Sequence, residues 1–246
     1  MPAHKLNFNN ICVAQLKMVI RHQRSYIYQK LKIMNKTILV VAFSALTLPA
    51  YGDTTVNGKL STLGLGVEAA FPMTETVDAR IGLNTYKYNF SKARKSGIAT
   101  ANYSGNLNLQ SLQALADWHP WEGSFRVSCG LVYNNNKLSM SATGGAFDIG
   151  GIATPIAAGQ HVNATVNFSR VAPYLGIGWG RTPKNTGFSF TSDLGIMFQA
   201  TPSGSVTTNI PGATAVDIAT ANASLNDSMK KFNIYPVISV GIGYTF

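Results

Sequence analysis

The stretch that decides the fold is Phe232 to Phe246, which reads FNIYPVISVGIGYTF. Its even positions are all apolar: Phe232, Ile234, Pro236, Ile238, Val240, Ile242, Tyr244 and Phe246. Small or polar residues fill most odd positions: Asn233, Ser239, Gly241, Gly243 and Thr245. Strands in soluble sheets run to about five or six residues, whereas a tilted strand needs about 9–11 residues to cross a bilayer. The pattern therefore predicts a membrane-spanning strand with one face toward lipid and one toward a lumen.

Six further segments alternate in the same way, and the first of them, Leu63 to Phe71, is expected to place Leu63 outward. In three segments the apolar phase shifts by one residue, after Asn84, near Gln110-Ser111 and near Ser169-Arg170. We interpret each shift as a β-bulge. These bulges would turn the aromatic residues beyond Asn84 outward: Tyr86, Tyr88 and Phe90.

The connections alternate between short and long, as the periplasmic turns and extracellular loops of outer-membrane barrels do. Aromatic residues gather at the short-turn end: Phe71, Trp118, Trp121, Phe125, Trp179, Tyr244 and Phe246. We predict an all-β, closed, antiparallel up-and-down transmembrane β-barrel of about eight strands. The eighth strand is expected in Asp53 to Leu60 or in the long final loop, and the Asn57-Gly58 pair is a typical hairpin turn.

Charged residues on the inward faces are expected to pair across two hairpins. Folding the first hairpin about Thr74 sets Glu68 opposite Arg80, and folding the second between Trp121 and Glu122 sets Asp117 opposite Arg126. A further acid, Asp193, also faces inward. The alternatives are a catalytic or ion-conducting cluster and a salt-bridged plug. Because buried charges must be paired to be tolerated, we favour the plug.

The net charge of +10 is concentrated at the front of the chain. Seven basic residues and no acidic residue precede Asp53, so the basic excess does not indicate a nucleic-acid partner. From Met34, a short positive region, twelve apolar residues and small residues at Ala50 and Gly52 predict a signal peptide at 34–52 that is cleaved before Asp53. Residues 1–33 are interpreted as a mis-assigned start, with an unusually long leader as the alternative. The barrel then occupies 53–246.

Motifs for chemistry are scarce in this sequence. The glycine pairs Gly64-Gly66, Gly176-Gly178 and Gly241-Gly243 lack the third glycine and the helix of a nucleotide fingerprint, so we interpret them as packing residues that face inward. After cleavage only His119 and His161 remain as histidines, without ligand spacing. We expect no metal, no cofactor and no enzymatic activity, and a lipid-modifying hydrolase is an unfavoured alternative. Cys129 is expected to face lipid.

Two loop segments suggest features outside the barrel wall. Thr214 to Lys231 is either a helix, with Thr214 and Asp217 at capping-box spacing, or a polar loop. Lys92, Arg94 and Lys95 are expected near the phosphates of outer-leaflet lipopolysaccharide, or form a merely solvated charge cluster.

The chain from about Leu60 contains four characteristic strings: LGLGVEAAF, LADWHPWEGSFRVS, VAPYLGIGWG and YPVISVGIGYTF. Through their order and spacing, the chain resembles small outer-membrane β-barrel proteins of Gram-negative bacteria, in the broad OmpW-like, OmpX-like and opacity-type group. The resemblance implies insertion into the outer membrane by the assembly machinery. The terminal Phe246, with Tyr244 two residues before it, resembles the signal that this machinery reads. We expect a structural or surface-interaction role. A narrow channel for small solutes, including hydrophobic ones, is the alternative.

Overall fold

A computed structural model of the chain describes residues 54–96, 99–149, 152–183 and 185–246. The upstream extension, the signal peptide and the cleavage residues Ala50, Gly52 and Asp53 lie outside the described residues. No helix in the described part is long and apolar enough to cross a membrane. The strands, in chain order, are β1 (Thr55–Ser61), β2 (Gly64–Pro72), β3 (Val77–Ser96), β4 (Ala99–Trp118), β5 (Phe125–Asn134), β6 (Lys137–Thr143), β7 (Ala146–Ile149), β8 (Ile152–Pro155), β9 (Val162–Asn167), β10 (Val171–Trp179), β11 (Gly187–Phe198), β12 (Ser203–Thr208) and β13 (Ile234–Thr245).

Eight of these strands close an antiparallel ring in the order β1, β2, β3, β4, β5, β10, β11 and β13. The ring closes where β1 pairs with β13, with Thr55 opposite Thr245 and Ser61 opposite Ser239. This confirms the predicted barrel and places its eighth strand in the first of the two expected segments. Closure is required because an open strand edge leaves backbone groups unsatisfied in lipid.

The Asn57-Gly58 pair, whose residue types are typical of a hairpin turn, does not form one. Both residues lie inside β1, where Asn57 faces Gly243 and Gly58 faces Ile242 of the last strand. The chain turns instead at Thr62 and Leu63, between β1 and β2. Leu63 is also not outward: it is 2% exposed and packs in the barrel interior. Tertiary closure of the ring therefore overrode the local turn preference.

The predicted β-bulges in the second and third segments are also wrong. The β3–β4 ladder keeps one register from Val77 opposite Trp118 to Ser96 opposite Ala99. Tyr86, Tyr88 and Phe90 therefore stay on the inward face, and they pack against a second hydrophobic core. The alternation of side chains continues without interruption, but the outer face becomes polar and the inner face becomes apolar. The reason is that, beyond the lipid, the outer face of β3 and β4 is exposed to water and the inner face packs against this second core. Lys92, Arg94 and Lys95 thus belong to a 20-residue strand and not to a loop.

The third predicted bulge, near Ser169-Arg170, is a break between two strands. Below the break β10 belongs to the barrel, and above it β9 belongs to an extension of the sheet. The extension runs from the upper halves of β3 and β4 through β6 and β9 to β12, and we call it the cap sheet. The cap sheet lies at the long-loop end of the barrel.

A helix, α1 (Ala215–Met229), packs on the cap sheet, which settles the two alternatives for this segment in favour of a helix. Its capping box is formed: Thr214 Oγ1 accepts from Asp217 N at 3.3 Å, and Thr214 N donates to Asp217 Oδ2 at 2.9 Å. Leu225 and Met229 are fully buried among the apolar inner residues of β4, β6, β9 and β12. A 3-10 helix, Lys230–Phe232, follows, so the last strand begins at Ile234 and not at Phe232.

Candidate functional site: the charged layer of the lumen

Six charged side chains converge inside the barrel near its short-turn end. We call this group the charged layer: Lys59, Glu68, Arg80, Asp117, Arg126 and Asp193. Each is at most 8% exposed. The five residues predicted from the sequence are therefore brought together into one network, although the sequence pattern suggested two separate pairs.

The predicted hairpin registers are wrong by two residues. Glu68 lies opposite Gly82 and Arg80 opposite Ala70, while Asp117 lies opposite Ser128. In the first hairpin the reason is the turn, which is centred on Glu75 because Met73 N and Thr74 N both donate to Val77 O. A shift of two residues keeps every side chain on its predicted face, and diagonal neighbours remain within reach of long side chains.

Arg80 is the centre of the charged layer. Its Nη1 donates to Glu68 Oε1 at 3.2 Å, and its Nη2 donates to Asp117 Oδ1 at 2.9 Å. Its Nε is also paired with Asp117 Oδ2, so the contact is bidentate. Nη1 and Nη2 reach the two oxygens of Asp193 at 3.3 and 3.2 Å. One guanidinium therefore links carboxylates from β2, β4 and β11 across the lumen.

Arg126 and Ser239 complete the contacts of Asp193. Arg126 Nη2 donates to Asp193 Oδ1 at 2.7 Å, and its Nη1 donates to Gly180 O at 2.6 Å. Ser239 Oγ donates to Asp193 Oδ2 at 2.8 Å. Arg126 Nε lies 3.6 Å from Asp117 Oδ2. The second arginine therefore contacts two of the three acids that Arg80 contacts.

Lys59 was not found from the sequence. Its Nζ donates to Glu68 Oε2 at 2.7 Å. It lies on β1, which shows little apolar alternation, so no face was assigned to it. With Lys59 included, the charged layer holds three cations and three carboxylates. Because breaking one buried pair leaves an uncompensated charge, this balance favours a fixed structural network.

The glycine pairs of β10 and β13 make room for this network. A Cβ at Gly178 would lie 2.8 Å from Asp193 Oδ1 and 3.0 Å from Arg126 Nε. A Cβ at Gly241 would lie 3.1 Å from the Cβ of Lys59. These contacts support their interpretation as packing residues.

A second group of polar side chains, below the charged layer, connects residues of the three short turns through polar contacts. His119 Nε2 lies 3.3 Å from Asp78 Oδ2, and its Nδ1 lies 3.0 Å from Gly123 O. Thr182 Oγ1 donates to the same Asp78 oxygen at 3.1 Å. The histidine side chain is buried, and the Thr182 hydroxyl donates its proton to the Asp78 carboxylate. In the described residues, no three His, Cys, Asp or Glu side chains are grouped to hold a metal.

An apolar layer lies beyond the charged layer, toward the long-loop end. It consists of Leu63, Leu115, Val132, Ala172, Tyr174, Met197 and Val237, with Tyr235 packed against it. Met197 and Val132 are at most 1% exposed, and Tyr235 OH donates to Thr62 O at 2.6 Å. Two successive layers of buried side chains, one charged and one apolar, therefore lie inside the barrel.

The outer surface of the barrel is apolar. Exposed side chains of β5, β10, β11 and β13 form this belt, including Leu131, Leu175, Phe190, Leu194 and Ile242, each more than half exposed. Cys129 is a free, exposed cysteine on the outward face of β5, as expected. A band of outward apolar residues around a closed barrel is the surface that lipid solvates.

The two terminal aromatic residues lie at the short-turn end. The ring of Phe246 packs edge-on against Tyr244 at 5.2 Å, and Tyr244 also contacts Phe188 at 5.1 Å. The Phe246 backbone N donates to Thr54 O at 3.3 Å. Phe246 is therefore held by local contacts at the seam where the barrel closes.

Deleting Phe246 is expected to lower the membrane-inserted fraction several-fold without lowering synthesis, because the terminal aromatic residue is the predicted assembly signal. The measurement compares inserted with total protein in cells. Phe188→Ala is the matched control, since it removes an aromatic contact of Tyr244 but keeps the terminus. Equal insertion of the deleted and full-length chains would contradict the prediction.

Comparison with solved structures places this fold among known proteins. The chain is similar to CarO2 from Acinetobacter baumannii, with a TM-score of 0.54 and 17% identity over 78% of this chain and 98% of that one. It is also similar to CarO from the same organism, with a TM-score of 0.50 and 18% identity over 78% of this chain and 97% of that one. No protein-family model and no curated protein matches the sequence. By its closed ring of eight strands and its apolar outer belt, the chain is a membrane β-barrel, a fold that it shares with these two structures.

Proposed function

We propose that this chain is a non-enzymatic outer-membrane protein with a structural or surface-interaction role, and that its lumen is closed to ions and solutes. The observation that carries the proposal is the Arg80 network, in which one side chain contacts acids from three strands across the barrel. An open aqueous pore would leave such groups solvated, whereas Arg80 and Asp117 are at most 2% exposed.

The apolar layer supports the same proposal independently. An ion that passed the charged layer would meet buried Met197 and Val132 next. A hydrophobic solute that passed the apolar layer would meet buried charges, whose desolvated surroundings do not suit it. Two layers of opposite chemistry in series therefore disfavour both ionic and hydrophobic passage.

We further propose that the chain falls in the OmpW-like, OmpX-like and opacity-type group and is inserted by the outer-membrane assembly machinery. Support comes from the order of its four sequence strings and from the eight-stranded ring. The charged layer departs from the apolar lumen of OmpW-like proteins. The charged layer therefore disfavours passage of hydrophobic solutes through the lumen.

Planar-bilayer recording tests the closed lumen. We expect no discrete conductance steps from the purified, folded protein at either polarity, because the charged layer and the apolar layer are both packed. A general porin in the same bilayer serves as the positive control. Reproducible single-channel steps, or passage of a hydrophobic solute into proteoliposomes above the protein-free rate, would contradict the proposal and favour a narrow channel.

A further inference from the structure

The outward face of the cap sheet is a regular array of polar side chains. Cross-strand pairing aligns fifteen residues of β3, β4, β6, β9 and β12 in three rows, which together we call the polar face. The lower row is Lys87, Asn108, Lys137, Asn167 and Ser203; the middle row is Asn89, Asn106, Ser139, Thr165 and Ser205; the upper row is Ser91, Ser104, Ser141, Asn163 and Thr207.

Every residue of the polar face is exposed or partly exposed. The opposite face of the same five strands forms the apolar core under α1. The array contains two lysines and no acidic residue. It therefore offers amide and hydroxyl groups for hydrogen bonding, with positive charge confined to its lower row.

The lower row lies just above the lipid belt. Lys87 lies four residues after Leu83 on β3, and Asn108 lies four residues before Leu112 on β4. Four residues correspond to about 13 Å along a strand. Tyr133, an exposed residue opposite Leu112, precedes Lys137 by the same four residues. Lys87 and Lys137 are separated by one strand, so their backbones lie about 10 Å apart.

We propose that the polar face binds the sugar-phosphate region of lipopolysaccharide in the outer leaflet around the barrel, with Lys87 and Lys137 contacting its phosphates. The face continues the lipid-facing surface of β3 and β4 without a break in register. Positive side chains at this depth are favoured by an anionic lipid surface. Sugar hydroxyl groups match the asparagine, serine and threonine side chains of the upper rows.

A protein partner fits this face less well. Protein interfaces depend on aromatic or other apolar anchors in desolvated pockets, and the polar face has none among its fifteen residues. Lys92, which was expected near the phosphates, lies five residues beyond Lys87, about 17 Å farther along the strand. The lower row is therefore closer to the membrane than the cluster predicted from the sequence.

The proposal rests on the proposed surface role, with the cap sheet outside the cell, and that orientation has its own test. An epitope inserted at the Gly144-Gly145 turn, which follows β6, is expected to be labelled on intact cells. Absence of labelling on intact cells, with labelling after lysis, would overturn both the surface role and this inference.

Binding of purified, folded protein to purified lipopolysaccharide tests the polar face itself. K87E/K137E is expected to weaken binding by about tenfold or more, since each cation near an anionic surface contributes to affinity. K87R/K137R preserves the charge and is expected to bind as the wild type does. Wild type and K87E/K137E are expected to bind dephosphorylated lipopolysaccharide with the same affinity.

Two results would overturn the inference while leaving the closed-lumen proposal intact. One is equal binding by wild type and K87E/K137E, with surface labelling of the epitope. The other is tight binding of the released, lipid-free oligosaccharide at the same affinity, which would make a soluble glycan the ligand. Heat-modifiable migration on gels verifies that each variant is a folded barrel.

Discussion

Replacing Arg80 with methionine is expected to destabilise the barrel by about 3–5 kcal/mol, because it leaves buried carboxylates without their central cation. Methionine keeps much of the side-chain volume, so the loss of unfolding free energy is expected to come more from the missing charge than from changed packing. Urea unfolding in lipid vesicles measures it. If the charged layer lined a solvated pore, each pair would contribute only about 0–1 kcal/mol, and Arg80→Met would have little effect.

Two double variants make this prediction specific to the observed network. Arg80→Met with Asp117→Asn leaves two intact pairs, Lys59 with Glu68 and Arg126 with Asp193, each at 2.7 Å. It is expected to recover much of the lost stability. Arg80→Met with Glu68→Gln leaves Lys59 unpaired and is expected to recover less. If the loss of unfolding free energy in each double variant equalled the sum of the losses in its two single variants, the network would be rejected.

Replacing Leu225 with alanine is expected to destabilise the cap by about 2–5 kcal/mol, because the side chain is fully buried between α1 and the cap sheet. Leu225 packs directly over Gly204 of β12, where a Cβ would lie 2.5 Å from Leu225 Cδ2. Proteolysis of the cap in membrane-inserted protein, followed over denaturant concentration, measures the change.

Val216→Ala is the matched control on the same helix, because Val216 is 73% exposed. Its effect is expected to stay within about 0.5 kcal/mol. The barrel itself is expected to stay folded in the Leu225 variant, since the leucine belongs to the core of the cap and not to the apolar layer of the lumen. An identical proteolysis profile for Leu225→Ala and wild type would show that α1 does not stabilise the cap sheet.

The sequence predicted the barrel wall well where the outer face meets lipid. Alternation in β5, β11 and β13 placed Cys129, Phe190 and Ile242 outward and Arg126 and Asp193 inward, and the burial pattern agrees. Above the lipid the same reasoning failed for Tyr86, Tyr88 and Phe90. The hydropathy of a residue indicates whether its surroundings are apolar, but not whether its side chain points into or out of the barrel. The change from apolar to polar surroundings on the outer face was therefore interpreted as a one-residue shift in the strand.

By itself, the sequence determined the fold class, the spanning segments and the inward position of five charged residues, because a period of two between lipid and lumen is a local property of each strand. Only the tertiary structure decided the strand registers, the closure by β1, the recruitment of Lys59 and the folding of the cap around α1. These features depend on contacts between residues far apart in the chain. They are determined by the closure of the ring and by the packing of the cores, and neither can be predicted from the residue pattern of a single strand.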